Sequence, residues 1–167
     1  LPWLALGQKQ YNHEEILVNQ LGNINIASAG SLTHIEGTDV SFVPLITTTA
    51  QAGLIDKEKL SFSVDPAGLV TSFEPSDDPL VLAARVKGSF RTAFPEGPPE
   101  SPSGGEAETE EKEGAKEHLT KSSKAANLVV VADTDLLLDR FWVQVNNFFG
   151  QQLVVPKAAN LDFVTNA

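Results

Sequence analysis

The chain has 167 residues, 41% of them hydrophobic, and a formal net charge of −10. That length suffices for one domain with a hydrophobic core. The acidity disfavours nucleic acid and anionic lipid as partners, because their phosphates would be repelled. Cysteine is absent, which excludes thiol nucleophiles, thiolate metal sites and disulfides. No window approaches the roughly 18 apolar residues of a membrane-spanning helix. The start at Leu1, without a signal-like segment, predicts a piece of a longer protein, and any membrane attachment would lie outside this segment.

The first half of the chain predicts one short helix followed by four strands. Asn12 is placed as the N-cap of the helix, Glu15 would close a capping box, and Gly22 would end the helix. Pro44 predicts that the second strand is an edge strand or carries a bulge. The third strand would end in a Pro-Gly turn, and the fourth would have one partly solvated face. The four strands are predicted in NINIASAG, DVSFVPLITTT, KLSFSVDPAG and PLVLAARVKGSF.

An acidic segment divides the chain. Residues 95–118 contain eight Glu and two Lys, and they account for −6 of the net charge. Residues 95–123 have almost no apolar side chains and are rich in Pro, Gly and Ser, so their burial cannot offset the entropy lost on ordering. We therefore predict a flexible acidic loop at 95–123. It would be inserted into a single domain covering 1–167, because each flanking piece is too small to fold alone.

The last part of the chain predicts a buried strand leading into an amphipathic helix, which is half of an α/β unit. ANLVVVAD has the continuous apolar run of a strand that is buried on both faces. DLLLDRFWVQVNNFFG has helical spacing and would end at Gly150. The sequence QQLVV predicts one more short strand. The apolar stripe of the helix is expected in the core and consists of Leu138, Phe141, Trp142, Val145, Phe148 and Phe149.

Two aspartates follow the predicted buried strand, at the edge where open α/β sheets bind ligands. Asp133 and Asp135 could hold a divalent cation, as in a haloacid-dehalogenase-type phosphatase. However, apolar residues replace the small and hydroxyl residues expected after that motif. The other interpretation is local: Asp135 or Thr134 caps the helix, Asp139 faces the positive end of its dipole, and Asp133 bonds neighbouring amides. We favour the local interpretation and expect no bound metal or cofactor. Arg140 and Gln144 would point outward as candidates for a contact surface.

The chain also resembles a known family. NLVVVADTDLLLDRFWVQVNNFFGQQLVVPKAANLDFVTNA is similar to the GldG-type auxiliary proteins of ABC transporters, a group that includes gliding-motility components. NQLGNINIASAGSL, FVPLITTTAQAGL and LVLAARVKGSFRTAFP share the resemblance, so it covers nearly the whole chain outside the acidic segment. The sequence motifs VADTDLL, DRFWVQV and FFGQ are specific to this resemblance, because no general physical rule requires these residues. The matching positions include Asp133, Asp135, Asp139, Arg140, Phe141 and Trp142.

The resemblance implies an α/β fold with a sheet flanked by helices. It would be related to glutamine-amidotransferase-like and flavodoxin-like sheets, as a C-terminal portion with some antiparallel strands. An amidotransferase requires a cysteine nucleophile, which this chain lacks, so the scaffold would carry no such chemistry. The implied function is that of a non-catalytic accessory domain on the periplasmic face of the bacterial inner membrane. Its implied partners are the permease or other membrane subunits of an ABC transport system. The alternative function is a metal-dependent hydrolase using Asp133 and Asp135.

Overall fold

The computed structural model describes residues 3–60, 65–97 and 118–167. Short helices and antiparallel strands alternate along these ranges, which confirms the prediction of a small domain of mixed α and β structure. The strands are β1 (Trp3–Leu6), β2 (Ile24–Ala27), β3 (Val40–Thr47), β4 (Val81–Gly88), β5 (Ala126–Val131), β6 (Val143–Phe148) and β7 (Gln151–Pro156). The α-helices are α1 (Pro66–Thr71), α2 (Asp139–Trp142) and α3 (Asn160–Asn166), and 3-10 turns cover Gln8–Gln10 and Lys57–Leu60.

The strands form three antiparallel sheets in the orders β1-β2, β3-β4-β5 and β6-β7. β3 is an edge strand whose register with β4 shifts between Pro44 and Ile46. The prediction from Pro44 of an edge strand or a bulge is therefore confirmed, because proline cannot donate a ladder hydrogen bond and is tolerated at both places. Every strand pair in the described ranges is antiparallel. A relationship to amidotransferase-like or flavodoxin-like sheets stays a prediction.

The core lies between the β1-β2 pair, the first half of β4 and α3. Ala83 and Ala84 are consecutive in β4 and both fully buried, so both faces of the strand are covered there. The face of β4 predicted to be partly solvated is partly exposed at Val81 and Arg85 and exposed at Lys87, but it is buried at Ala83. The buried cluster consists of Leu6, Tyr11, Val18, Leu21, Ile24, Ile26, Leu45, Ile46, Leu82, Ala83, Leu136, Ala159 and Phe163.

Tyr11 brings a polar group into this core. Its hydroxyl donates to the carbonyl oxygens of Leu6 and Gly22, at 3.0 and 2.8 Å, and accepts from the Ile24 amide at 3.1 Å. A hydroxyl has one proton, so the two carbonyls share it, and the ring ties β2 to the chain before it. Burial raises the pKa of Tyr11 from 10.0 to about 12, and the Ile24 bond lowers it by less.

The predicted helix between Asn12 and Gly22 is wrong, because this segment is a series of turns. Glu15 does not close a capping box. Instead its carboxylate forms a bidentate ion pair with the Arg85 guanidinium of β4, at 2.5 and 3.0 Å. The Arg85 bond lowers the pKa of Glu15 below its ordinary value of 4.5. Asn12 bonds both within the segment and outside it: its side-chain oxygen accepts from the Glu14 amide at 3.1 Å, and its side-chain nitrogen donates to the Pro44 carbonyl at 3.0 Å.

The predicted helix through residues 136–150 is also wrong. Only Asp139–Trp142 is helical, and a hairpin of β6 and β7 follows. Apolar and polar side chains alternate from Val143 to Asn146, which fits a strand. Phe149 and Gly150 both have positive φ, as a two-residue type I′ hairpin turn requires. The aromatic stripe is therefore not in the core: Phe141 is 2% exposed, but Phe149 is 94% exposed.

Two other predicted elements differ from the structure. β5 is an edge strand with Leu128 and Val130 exposed on one side, so the prediction that both its faces are buried is wrong. The Pro-Gly turn after residue 64 is the helix α1, whose N-cap Asp65 accepts a hydrogen bond from the Ala67 amide. Residues 61–64 of the predicted third strand lie outside the described ranges.

The two stretches of chain that flank the acidic segment, here called its neck, are hydrogen-bonded to each other through Phe90 and Thr92 on one side and Thr120 and Ser122 on the other. β4 and β5 pair antiparallel across the segment. The pairing continues past the strands, since the Ser122 amide donates to the Phe90 carbonyl at 2.7 Å and the Thr92 amide to the Thr120 carbonyl at 3.0 Å. Residues 98–117, which carry most of the predicted flexible loop, lie outside the described ranges. Nowhere in the described chain is there a helix with the length and apolar character to cross a bilayer.

Candidate functional site

Asp133 connects the ends of two strands. It follows β5, and one carboxylate oxygen accepts from the Ala27 amide at the end of β2, at 2.9 Å. The other oxygen accepts from the Asp135 amide at 2.6 Å. A carboxylate that accepts two amide hydrogen bonds is strongly held in place. The predicted bonding of Asp133 to neighbouring amides is confirmed, with one donor that is distant in sequence.

Asp135 is not a helix cap. The residue before α2 is Leu138, and no side chain caps the helix. Instead the main-chain carbonyl of Asp135 accepts from the Leu138 amide at 2.9 Å, which closes a turn before α2. The predicted cap, by Asp135 or Thr134, is therefore wrong, because α2 begins three residues later than the sequence pattern suggests. Asp139 does lie in the first turn of α2, as predicted.

The surroundings of Asp133 and Asp135 bear on the hydrolase alternative. Within residues 3–60, 65–97 and 118–167, no three His, Cys, Asp or Glu side chains lie close enough together to hold a metal ion. Both oxygens of Asp133 already accept amide hydrogen bonds. A cation at Asp133 would have to compete with these bonds, which also define the loop. The chemistry that the arrangement does support is the fixing of a loop between two strands.

Aromatic rings and cations surround the base of the β6-β7 hairpin. The rings of Trp3 and Phe141 meet edge to face, with centroids 5.0 Å apart. The Arg140 guanidinium lies 4.7 Å from the centre of the Phe141 ring, and the Lys157 ammonium lies 5.5 Å from that of Trp3. Contacts of this kind hold a cation over a ring while leaving its charge accessible. Arg140 and Lys157 are both exposed, so the base of the hairpin presents positive charge on an otherwise acidic chain.

The hairpin itself exposes an unusual amount of apolar surface. Every residue of β7 and all of β6 except Val143 are exposed. At the tip, the rings of Phe148 and Phe149 contact each other edge to face, with centroids 4.6 Å apart. Exposed apolar surface of this extent marks an interaction site more often than a free surface. The exposed apolar side chains from the chain before α2 to β7 are Leu137, Leu138, Val145, Phe148, Phe149, Leu153, Val154 and Val155.

Asn160 supports this surface from beneath. It is fully buried, and its side-chain oxygen accepts from the Asn25 amide at 3.0 Å. Its side-chain nitrogen donates to the carbonyls of Asn25 and Leu136, at 2.6 and 2.7 Å. Asn25 in turn donates from its own side chain to the Phe141 carbonyl at 2.8 Å. These bonds join α3, β2 and the start of α2, so they position the base of the hairpin.

Comparison with known proteins identifies the family. A family model described as an ABC-type uncharacterized transport system matches residues 1–167. The chain belongs to this family. It is therefore an auxiliary component of an ABC-type transport system, as the resemblance implied. No curated protein and no solved structure matches the chain.

The structure places the predicted site residues of this auxiliary component in two groups. Asp133 and Asp135 belong to the loop between β5 and α2. Asp139 and Arg140 form the first turn of α2, and Gln144 follows on β6, where its side chain donates to the Asn146 side chain at 3.2 Å. The last three side chains are exposed. Because they are exposed, a partner could reach them, and their role as binding residues stays a prediction.

Sequence reasoning missed two features of this site. The importance of Asn160 was hidden, since a polar residue at a helix start usually indicates a cap. The hairpin could have been found from the alternation of Val143 and Val145 with Gln144 and Asn146, and from the Phe149-Gly150 turn.

Proposed function

We propose that the chain is a non-catalytic, extracytoplasmic domain of a bacterial ABC transport system, and that it binds and positions a membrane subunit. The periplasmic side follows from the GldG-type resemblance, and a gliding-motility-type transporter is one system that it would serve. The relationship to amidotransferase-like sheets belongs to the same proposal. Under this proposal the domain keeps the amidotransferase-like scaffold but has no cysteine nucleophile.

The observation that carries the proposal is the exposed surface of α2 and β6. Asp139, Arg140 and Gln144 offer two opposite charges and an amide at the edge of an apolar area. Protein interfaces combine an apolar centre with a polar rim, and arginine is enriched in them. The permease, or another membrane subunit of the system, is the partner that family membership favours.

The test is co-purification of the full-length protein with its transporter from detergent-solubilised membranes. Arg140→Glu should reduce recovery of the membrane subunits at least about tenfold, which corresponds to roughly 1.4 kcal/mol of binding free energy. Arg91→Glu is the matched control, because Arg91 is also an exposed arginine but lies at the neck of the acidic segment. Equal recovery with both variants would show that α2 is not the contact surface.

A further inference from the structure

Among the residues that the structure describes, no strand pairs with the outer edge of β7. β6 and β7 form a two-stranded sheet, and no other strand of the described chain pairs with it. An isolated hairpin is at best marginally stable in water, whereas three or more strands with an apolar face are stable. An unpaired edge also offers a row of backbone donors and acceptors to another chain. The hairpin therefore has both an apolar surface to cover and a hydrogen-bonding edge to fill.

A lipid surface would cover only part of the hairpin. Open sheet edges do not enter the hydrocarbon region of a bilayer, because their backbone groups would stay unsatisfied. Insertion would thus stop near the Phe148-Phe149 tip, beneath which Asn147 and Gln151 follow. Exposed apolar residues continue towards the base, at Leu153 and Val154. A protein strand that pairs along β7 would cover these residues as well.

The charge pattern favours a second copy of the chain as this strand. Residues 143–156 contain no charged side chain, although the chain as a whole carries −10. Two chains of net charge −10 repel each other overall, but the hairpins could meet without like-charge contacts. No charge on the hairpin selects a foreign partner of opposite sign either.

The sequence of β7 is complementary to itself. In the hairpin, Val154 pairs with Val145, so these two side chains share one face, and Leu153 and Val155 lie on the other. If two β7 strands run antiparallel about a twofold axis normal to the sheet, residues of the same face must oppose each other. Centring the axis on Val154 places it opposite its own copy, and Leu153 opposite Val155 of the second copy. Three consecutive apolar pairs then form.

We propose that the outer edge of β7 pairs with the same edge of a second copy of this chain, forming a four-stranded antiparallel sheet with Val154 on the twofold axis. The contact would be isologous, as twofold dimer interfaces are. An interface of one short strand is small, below about 1,200 Å² in total, so the dimer is weak and depends on concentration. This inference goes beyond the proposed function and does not depend on it.

A charge-swap experiment tests the contact on the whole chain by sedimentation velocity over a concentration series. The wild-type chain should dimerise, and Val154→Lys and Val154→Glu should each weaken the dimer at least about tenfold, because like charges would oppose each other. An equimolar mixture of the two variants should recover it. Ile16→Lys is the control, since Ile16 is 82% exposed and lies far from β7 in the sequence. Circular dichroism and thermal melting of each variant check the fold.

Because the chain has no cysteine, Val154→Cys gives a second measurement that keeps the hairpin apolar. Side chains directly opposite in an antiparallel pair have Cβ atoms about 4.5–5.5 Å apart, so this variant should form an intermolecular disulfide faster than Val164→Cys on α3. A monomeric wild-type chain at every concentration, a mixture that stays monomeric, or equal cross-linking rates would overturn the proposal. So would a monomer that binds vesicles or a transporter subunit through Val154, because the occupant would then be a lipid or a different protein.

Discussion

Replacing Asn160 by alanine should be among the most destabilising single changes in the described chain. The side chain is fully buried and makes three hydrogen bonds, which leave the Asn25 amide, the Asn25 carbonyl and the Leu136 carbonyl without these partners when it is removed. An unsatisfied buried polar group costs about 1–3 kcal/mol. Allowing for some relaxation, we expect a loss of roughly 3–6 kcal/mol, against about 5–15 kcal/mol for a whole domain.

The assay for Asn160→Ala is urea unfolding followed by tryptophan fluorescence, because Trp3 and Trp142 report on the region that Asn160 supports. Asn166→Ala is the matched control, since Asn166 ends the same helix but makes only an exposed bond to the Leu17 carbonyl at 3.4 Å. The control should change stability by less than about 0.5 kcal/mol. If Asn160→Ala lost less than about 1 kcal/mol, the bond network would not hold α3 against β2.

The remaining predictions concern three ionisable side chains. The pKa of Tyr11 is raised to about 12 from 10.0. The stability that its protonated hydroxyl contributes is therefore complete below pH 10 and is lost as the pH rises towards 12. Urea titrations at a series of pH values should show this loss of roughly 2–3 kcal/mol in the wild-type chain but not in Tyr11→Phe. The pKa of Glu15 is lowered by Arg85, so its contribution is present above pH 4.5 and is lost in acid; Glu15→Gln should flatten the acid limb of melting temperature against pH. Asp133→Asn should lower stability by roughly 1–2 kcal/mol, because one of the two carboxylate oxygens that accept backbone amide hydrogen bonds is replaced by an NH₂ donor. Magnesium or manganese should not raise the melting temperature of either form. A metal-dependent rise in the wild-type chain that the Asp133→Asn variant lacks would instead support the hydrolase alternative.

The strands found from sequence are those whose pattern admits one interpretation. β2, β3, β4, β5 and β7 are predicted because alternation, a β-branched run or flanking turn residues mark them. The helix predicted after Asn12 is wrong because the partner of Glu15 is Arg85, 70 residues away. Local spacing cannot show that such a contact will replace a capping box.

The helix predicted for the stretch that contains β6 is wrong for another reason. Apolar residues between Leu138 and Phe149 satisfy both the helical and the strand period, as short apolar runs often do. The decisive feature is the pair of positive φ angles at Phe149 and Gly150. Gly150 suggests a turn, but it can equally end a helix, and phenylalanine rarely adopts this conformation.

The site was recoverable in part. The use of Asp133 as an amide acceptor follows from its place after a strand, but the Ala27 donor is 106 residues away and depends on the tertiary fold. The exposed positions of Arg140 and Gln144 agree with the structure, although Gln144 lies on a strand and not on a helix. Burial of the aromatic stripe could not be judged correctly, because it followed from the assumed helix.

The paired neck of the acidic segment makes this place suitable for carrying a reporter. The bonds from Ser122 to Phe90 and from Thr92 to Thr120 hold together the two stretches of chain that enter and leave the acidic segment. The entropy of closing a loop grows slowly with its length. A fluorescent protein or an affinity tag with adjacent termini could therefore be spliced in at this point, and the labelled chain could be followed in cells while both termini stay as they are.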